Sequence, residues 1–453
     1  MQSVQWDPNL ISKYNINGPR YTSYPTALAL HTHFDQTQIQ TAISQSPEAL
    51  SLYLHIPFCH KLCYYCGCNK VVTRHQHKAD IYLDGLAAEM ALYAPLLCDK
   101  SINQLHLGGG TPTFLTEVQL SRLMALLQQH FTINNDAEIS IEIDPRSCSD
   151  NKLRHLRKLG FNRVSFGVQD LDEKVQIAIN RVQDTELIRH QVMLSRELGF
   201  SSINLDLIYG LPFQQPASFS ATIDEIIRLN PDRISLFSYA HLPERFAAQR
   251  KITDSSLPGA PLKLELMQLA INRFVGAGYQ FIGMDHFAKP EDALAKAQQT
   301  GKLQRNFQGY TTRGQDGLIG LGVSSISQVS GVLWQNSKDL PVYYAAVNAA
   351  NLPLKHGFSL NRNDKIRAAL ISQLICHFQL DIETFCQLWK INDFWRYFSE
   401  ALERLQPFIE DGLVELAAGQ IKVSPVGRLW VRSICTCFDA YLNQGQQRFS
   451  KVV

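Results

Sequence analysis

His55-Ile-Pro-Phe-Cys-His-Lys-Leu-Cys-Tyr-Tyr-Cys-Gly-Cys68 begins at the end of an apolar run, Leu52 to Ile56, that reads as a β-strand. It gathers Cys59, Cys63, Cys66 and Cys68 within ten residues. Three thiolates separated by three and then two residues can hold three irons of a cubane and leave the fourth open to a small molecule. An open iron implies catalysis rather than electron carriage alone. Zinc and disulfide readings fit this spacing less well. A zinc site usually joins a close pair to a second, distant pair, and the other close pair here, Cys435 and Cys437, is a C-x-C near the far end.

Outward from this loop, short β-rich runs alternate with longer helical patterns. Strands are predicted at Leu52 to Ile56, Gln104 to Leu107, Glu138 to Ile143, Arg163 to Val168, Ile203 to Ile208 and Ile234 to Tyr239. Periodic apolar stretches such as Tyr82 to Leu97, Leu120 to Phe131 and Phe219 to Leu229 fall between them. Six βα repeats predict a parallel sheet with right-handed crossovers, too few for a closed eight-stranded barrel and enough for an open, partial one.

In a parallel α/β barrel the functional groups sit at the carboxyl ends of the strands. The second predicted strand ends in Gly108-Gly-Gly-Thr-Pro112, where lack of Cβ lets backbone approach a ligand. The third ends with Glu142 and Asp144, the fourth with Gln169 and Asp170, the fifth with Asp206, and the sixth with Tyr239, Ala240 and His241. One acid at a strand end is more often a helix cap; polar groups at five successive strand ends predict a ligand site.

Composition narrows the class. The chain has 453 residues, 45% hydrophobic and 19% charged, as in a globular protein with a large domain and a smaller one. Lysine plus arginine (43) exceed aspartate plus glutamate (41) by two, so neither nucleic-acid binding nor a strongly basic face is expected, and an anionic ligand must be held by local groups. Met1-Gln-Ser-Val-Gln-Trp-Asp-Pro8 lacks the basic and apolar regions of a leader, and no apolar run reaches about 18 residues. A soluble, cytoplasmic protein is therefore expected, without membrane contact. Ten unevenly clustered cysteines fit a reducing compartment.

C-x-x-x-C-x-x-C after a first strand resembles the radical S-adenosylmethionine enzymes. Seven further segments sharpen the match: Gly18-Pro-Arg-Tyr-Thr-Ser-Tyr-Pro-Thr-Ala27, Tyr53-Leu-His-Ile-Pro-Phe-Cys59, Cys66-Gly-Cys-Asn-Lys70, His106-Leu-Gly-Gly-Gly-Thr-Pro-Thr113, Asp206-Leu-Ile-Tyr-Gly-Leu-Pro212, Gly283-Met-Asp-His-Phe-Ala288 and Asn306-Phe-Gln-Gly-Tyr-Thr-Thr312. Together they resemble the oxygen-independent coproporphyrinogen III oxidase (dehydrogenase) family nearly end to end.

The resemblance implies an α/β fold built on a partial (β/α)6 radical SAM barrel, and a [4Fe-4S] cluster ligated by Cys59, Cys63 and Cys66. Cys68 is then a supporting thiol near the cluster and not a ligand. It also implies two S-adenosylmethionine molecules. Tyr53, Gly109, Glu142 and Ile326 would contact the cluster-bound one; Tyr65, Gly110, Thr111, Gln169, Arg181, Asp206 and Ala240 would contact the second. Tyr65 fills a slot that is often Phe in the family, and a ring serves in either case. Chemically, the Arg181 guanidinium can fork onto a carboxylate and Asp206 can accept from an ammonium or hydroxyl.

The implied reaction is anaerobic oxidative decarboxylation of the ring A and B propionates of coproporphyrinogen III to the vinyls of protoporphyrinogen IX, in heme biosynthesis. A saturated propionate has no electron sink beside the bond that breaks. A 5'-deoxyadenosyl radical, made by one-electron reduction of S-adenosylmethionine, would abstract a β-hydrogen; loss of carbon dioxide and a second electron leaves the alkene. The reductant would be a flavodoxin or ferredoxin, and the electron acceptor is open. Arg20, Tyr21, Lys70 and Arg74 are candidates for gripping the tetrapyrrole carboxylates. No further catalytic side chain is assigned.

An N-terminal arm (1–47), a catalytic barrel (48–353) and a C-terminal, mainly helical domain (354–453) are expected. In the last, helical patterns at Asp364 to Phe378 and Phe398 to Leu405 precede a hairpin running from Leu413 to Val423, a winged-helix-like order. Without a basic excess it is read as a cover for the barrel rather than a DNA-binding module. Cys435 and Cys437 fall on a predicted terminal helix as packing thiols. No heptad seam or apolar stripe is visible, so a monomer is expected. The rivals are a heme chaperone or a heme-processing radical methyltransferase of the same superfamily. The chaperone usually lacks the fourth cysteine and the long arm, and has His-Asn-x-x-Tyr-Trp where this chain has Arg305-Asn-Phe-Gln-Gly-Tyr-Thr311.

Overall fold

A computed structural model of the chain describes Leu10, Lys13, Tyr14 and residues 18–417 and 419–442. The Met1–Pro8 opening, most of the first 17 residues of the expected arm, and residues 443–453 of the expected C-terminal domain lie outside the described residues. The chain forms two compact units that interleave along the sequence. One gathers Leu30–Leu266 and Gln315–Ser359; the other gathers Met1–Ala29, Met267–Gly314 and Leu360–Val453. The division expected at 47/48 and 353/354 follows chain order, whereas compactness follows tertiary contacts.

In the first unit six strands lie side by side in chain order, each parallel to the next: β1 (Ala49–Ile56), β2 (Ser101–Gly109), β3 (Thr132–Ile143), β4 (Arg163–Gln169), β5 (Ser202–Tyr209) and β6 (Arg233–Ser238). Beyond β1, β7 (Leu318–Leu321) adds in parallel, and β8 (Ile326–Val329), β9 (Val332–Asn336) and β10 (Leu354–Ser359) continue antiparallel. The order is linear, so the barrel is open, as the repeat count predicts.

The strands alternate. Leu50, Leu52, Leu54 and Ile56 of β1 are fully buried, as are Leu105, Leu107 and Ile141 on the neighbouring strands. The intervening residues point to the opposite face, and those are polar: Ser51, Gln104, Glu138 and Arg163 join by side-chain hydrogen bonds across β1 to β4. Nearer the carboxyl ends, Ser235 donates to Asn204, which donates to Ser165, which donates to Asp206 at 3.0 Å. The hydrophobic face is covered by helices and the polar face lines the barrel interior.

The crossovers contain α1 (His77–Tyr93), α2 (Glu117–His130), α3 (Asp150–Lys158), α4 (Glu173–Ala178), α5 (Thr185–Glu197) and α6 (Pro216–Leu229). Helices start earlier than the apolar periodicity alone predicts because their amino ends are polar caps: Thr116 and Gln119 form a capping box at α2, and Pro216 opens α6. Leu120, Leu123 and Leu127 form the buried stripe of α2. Each such side chain contributes roughly 1.5–3 kcal/mol of burial.

In the second unit a helix, Arg362–His377, begins at an Asn361 capping box, and Gln379–Asp381, Gln420–Val423 and Val414–Ala417 form a three-stranded sheet in that spatial order. The hairpin turns through Gly419 at φ +77°. The Gly18–Ala27 segment is held by the chain's carboxyl-terminal end: Arg432 donates to the Pro19 carbonyl, Tyr21 to Asp439, and the Ala440 N–H to the Tyr24 hydroxyl. The predicted terminal helix is a 3-10 turn, Gly427–Trp430, followed by Val431–Thr436. Cys435 and Cys437 are buried packing thiols, with Cys435 raised well above its usual pKa by burial.

Candidate active site

The cluster loop leaves β1 and is tied down before it reaches the cavity. Phe58–Cys59 pairs with Val71–Val72 in a short parallel ladder, and Val71 N–H donates to the Pro57 carbonyl at 2.7 Å. Tyr82 of α1 donates to the His55 carbonyl at 2.7 Å and accepts from Val323 N–H, linking the ends of β1 and β7. Glu89, two helical turns further on, is fully buried and accepts from Gly322 N–H, Tyr343 and Asn336, each at 2.7 Å.

A cavity of about 240 Å³, open to solvent, lies at the carboxyl ends of the parallel strands. Cys59, Cys63, Cys66 and Cys68 line it, all as free thiols. So do Tyr65, Gly109, Gly110 and Thr111, with Glu142, Gln169 and Asp206 from the later strands and Arg181 from the turn after α4. Tyr53, Ala240 and Ile326 are outside this lining. Tyr53 stacks on His106 at 5.9 Å and bonds His55 at 3.1 Å. Ala240 is joined to the site by Gln249, whose Nε2 donates to both the Tyr65 and Ala240 carbonyls. Ile326 opens β8, opposite Gln335 of β9.

The glycine triplet makes room for the protein's own groups. A Cβ on Gly109, which has φ +113°, would sit 2.5 Å from the His55 ring, and one on Gly110 would sit 2.6 Å from the Pro57 carbonyl oxygen. Gly109 instead donates its N–H to Glu142 Oε2 at 3.0 Å. Burial opposes ionisation of Glu142, but the His106 hydrogen bond and the Gly109 N–H outweigh it and hold this carboxyl below its usual range. Asp206 goes the other way. Burial first and the Glu142 charge second push it up to about 6.

The thiols differ. Burial pushes Cys59 up to about 11 despite the Thr111 hydroxyl that donates to its sulfur at 3.4 Å, whereas the hydrogen bond from Cys68 holds Cys66 below the usual thiol range. Among the described residues no three His, Cys, Asp or Glu side chains converge on one point as ligands of a single ion. Three thiols of one loop lining one cavity are the donor set a cubane cluster takes, one thiolate to each of three irons. The buried Gln169 Oε1 has no hydrogen-bond partner within the protein and so offers a bound ligand an acceptor.

A radical SAM superfamily profile matches residues 53–226 and a HemN C-terminal domain profile matches 360–430. Over its whole length the chain is 53% identical to 99% of the oxygen-independent coproporphyrinogen III oxidase of Salmonella typhimurium. The chain belongs to the oxygen-independent coproporphyrinogen III oxidase family. The Escherichia coli family member is 52% identical over all of both chains. A solved structure, coproporphyrinogen III oxidase (HemN) from Escherichia coli, described as a radical SAM enzyme, covers 97% of this chain and 100% of its own at a TM-score of 0.94 and 52% identity. Radical SAM membership gives the chain a [4Fe-4S] cluster and S-adenosylmethionine as cofactors. No helix among the described residues is long and apolar enough to cross a membrane.

Sequence reasoning missed several residues of this family member's site. Lys61, Ser165 and Phe237 line the cavity, and Arg146 reaches the Cys63 sulfur. Ser165 was discoverable from the period-two alternation of β4, Arg146 only by asking what neutralises Asp144. Among the four candidates for gripping carboxylates, Lys70 lines the cavity, Arg74 is exposed elsewhere, Arg20 is paired with Asp285 at 3.0 Å and Tyr21 with Asp439.

Proposed function

We propose that the chain decarboxylates the ring A and ring B propionates of coproporphyrinogen III oxidatively and anaerobically, giving the vinyls of protoporphyrinogen IX. The observation that carries this reading is a single strand-end cavity joining the four free thiols of the loop to Glu142, Gln169, Arg181 and Asp206. It occurs in a chain 53% identical, end to end, to an enzyme named for coproporphyrinogen III oxidation.

In this proposal Cys59, Cys63 and Cys66 hold the cluster. Tyr53, Gly109, Glu142 and Ile326 contact the S-adenosylmethionine bound to it, and Tyr65, Gly110, Thr111, Gln169, Arg181, Asp206 and Ala240 contact a second molecule. When bound, these cofactors supply one-electron reduction and a carbon-centred radical, the chemistry an unactivated propionate requires. The chain's own residues bind and orient. Glu142, held ionised, is an acceptor for an ammonium group, and Gln169 offers its unpartnered carbonyl. Asp206, pushed up to about 6 by burial and the Glu142 charge, accepts from an ammonium or hydroxyl when ionised. Tyr65 and Phe237 give the cavity apolar walls that exclude water.

The 48–353 segment is proposed as the catalytic domain, 1–47 as an arm and 354–453 as an auxiliary domain. The chain is proposed to act as a cytoplasmic monomer, reduced by a flavodoxin or ferredoxin, with an electron acceptor still to be identified. Anaerobic turnover of the reconstituted protein with S-adenosylmethionine, a reductant, an acceptor and coproporphyrinogen III tests the proposal. Protoporphyrinogen IX, with matching methionine and 5'-deoxyadenosine, is expected. Deoxyadenosine without change in the tetrapyrrole, accompanied by tight heme binding, would refute it.

A further inference from the structure

We infer that Arg146, locked by Asp144, raises the reduction potential of the cluster through its hydrogen bond to Cys63. Arg146 Nη2 lies 3.5 Å from the Cys63 sulfur, and Arg181 Nη1 approaches the same sulfur at 3.5 Å. Both guanidiniums are clamped by one carboxylate. Arg146 forks onto Asp144 through Nε at 3.0 Å and Nη2 at 2.7 Å, and Arg181 Nη1 meets Asp144 Oδ2 at 3.2 Å.

The clamp is built into the turn. Asp144 caps Pro145–Ser147 by accepting from the Arg146 N–H, so acid and guanidinium share one short piece of backbone. Arg181 arrives from the far end of α4 and anchors on the Gly167 carbonyl through Nε at 3.2 Å and Nη2 at 2.6 Å. A Cβ on Gly167 would lie 2.8 Å from that Nη2, so glycine leaves the space Arg181 occupies. The three side chains are 15%, 13% and 7% exposed for Arg146, Asp144 and Arg181, so water screens them little.

Two cations and one anion leave the trio with one net positive charge against the Cys63 sulfur. Reduction adds one electron, delivered by an external one-electron reductant; no bond to the protein breaks and no proton moves. The added negative charge is stabilised by the nearby positive charge and the N–H···S bonds, and hydrogen bonding and net charge are the levers that set such potentials. By this account Arg146 makes the cluster easier to reduce and Asp144 opposes it.

The opposite signs provide the test, an anaerobic redox titration of reconstituted protein followed by the electron paramagnetic resonance signal of the reduced cluster. Arg146→Gln should lower the midpoint, cutting the reduced-to-oxidised ratio at fixed potential by about tenfold, or about 59 mV for a one-electron couple. Asp144→Asn should raise it. Unchanged midpoints, or shifts of one sign in both variants, would overturn the inference. Should Arg146→Gln fail to take up iron, Arg146→Lys decides: it keeps the charge but not the fork that holds the N–H on the Cys63 sulfur, so a lowered midpoint supports the hydrogen bond's role and an unchanged one overturns it. The inference rests on the cluster assignment above but not on the substrate. The midpoint is read without tetrapyrrole, so failure of the decarboxylation reading leaves this result standing.

Discussion

Gly109 donates its backbone N–H to Glu142 Oε2 at 3.0 Å, joining the carboxyl ends of β2 and β3 at the cavity wall. The bond exists because Gly109 adopts φ +113° and brings its backbone against the His55 ring, which no side chain at this position permits. Gly109→Ala should therefore cost about 1–3 kcal/mol in backbone strain plus the clash with His55. Expected is a lower melting temperature and reduced iron uptake, read by calorimetry and iron analysis; a variant matching the parent in both would show that the turn relaxes freely.

The four loop cysteines should separate into three and one. Cys59→Ala, Cys63→Ala and Cys66→Ala should each abolish both the cluster and turnover, whereas Cys68→Ala should retain a cluster visible by Mössbauer spectroscopy. Loss of all iron from Cys68→Ala would make it a ligand and close the open site. Asp206→Ala should keep the cluster and lose turnover, since its side chain bonds Ser165 and Asn204 rather than a thiol.

Stability should carry the signature of Glu89. Burial raises its carboxyl to about 7 from the ordinary 4.5, against three hydrogen bonds that favour ionisation. A raised carboxyl binds its proton more tightly in the folded chain, so its contribution is fully present below about pH 4.5 and is lost as pH rises through 7; the gap corresponds to roughly 3 kcal/mol. Glu89→Gln does not titrate, so the melting-temperature advantage of the parent over this variant should shrink between pH 5 and 8. A constant difference would place the Glu89 titration outside that range.

Tyr65 should be replaceable by a ring but not by a methyl group. Its ring lines the cavity, while its carbonyl is held by Gln249 whatever the side chain. Tyr65→Phe should keep cluster and turnover within a few-fold, and Tyr65→Ala should raise the KM for S-adenosylmethionine at least tenfold, about 1.4 kcal/mol of lost contact. Equal kinetics for the two variants would remove the ring from the binding account.

The sequence by itself determined the barrel and the identity of its reactive groups, because both are written in local patterns. Apolar residues at every second position, as in Glu138-Ile-Ser-Ile-Glu-Ile143, commit a strand to one covered and one polar face, and the cysteine spacing puts three thiols on one loop. Tertiary structure alone decided what surrounds those thiols. Cys63 meets Arg146 from 83 residues away and Arg181 from 118, and neither the Pro145 turn nor the end of α4 advertises a sulfur partner. The compact units likewise follow contacts that chain order does not encode: the Gly18–Ala27 segment, read as an arm, is fastened by Arg432 and Asp439, more than 400 residues further along. Spacing along the chain is fixed by covalent geometry, whereas charge, burial and hydrogen bonding act through space, and only folding brings those distant partners within range.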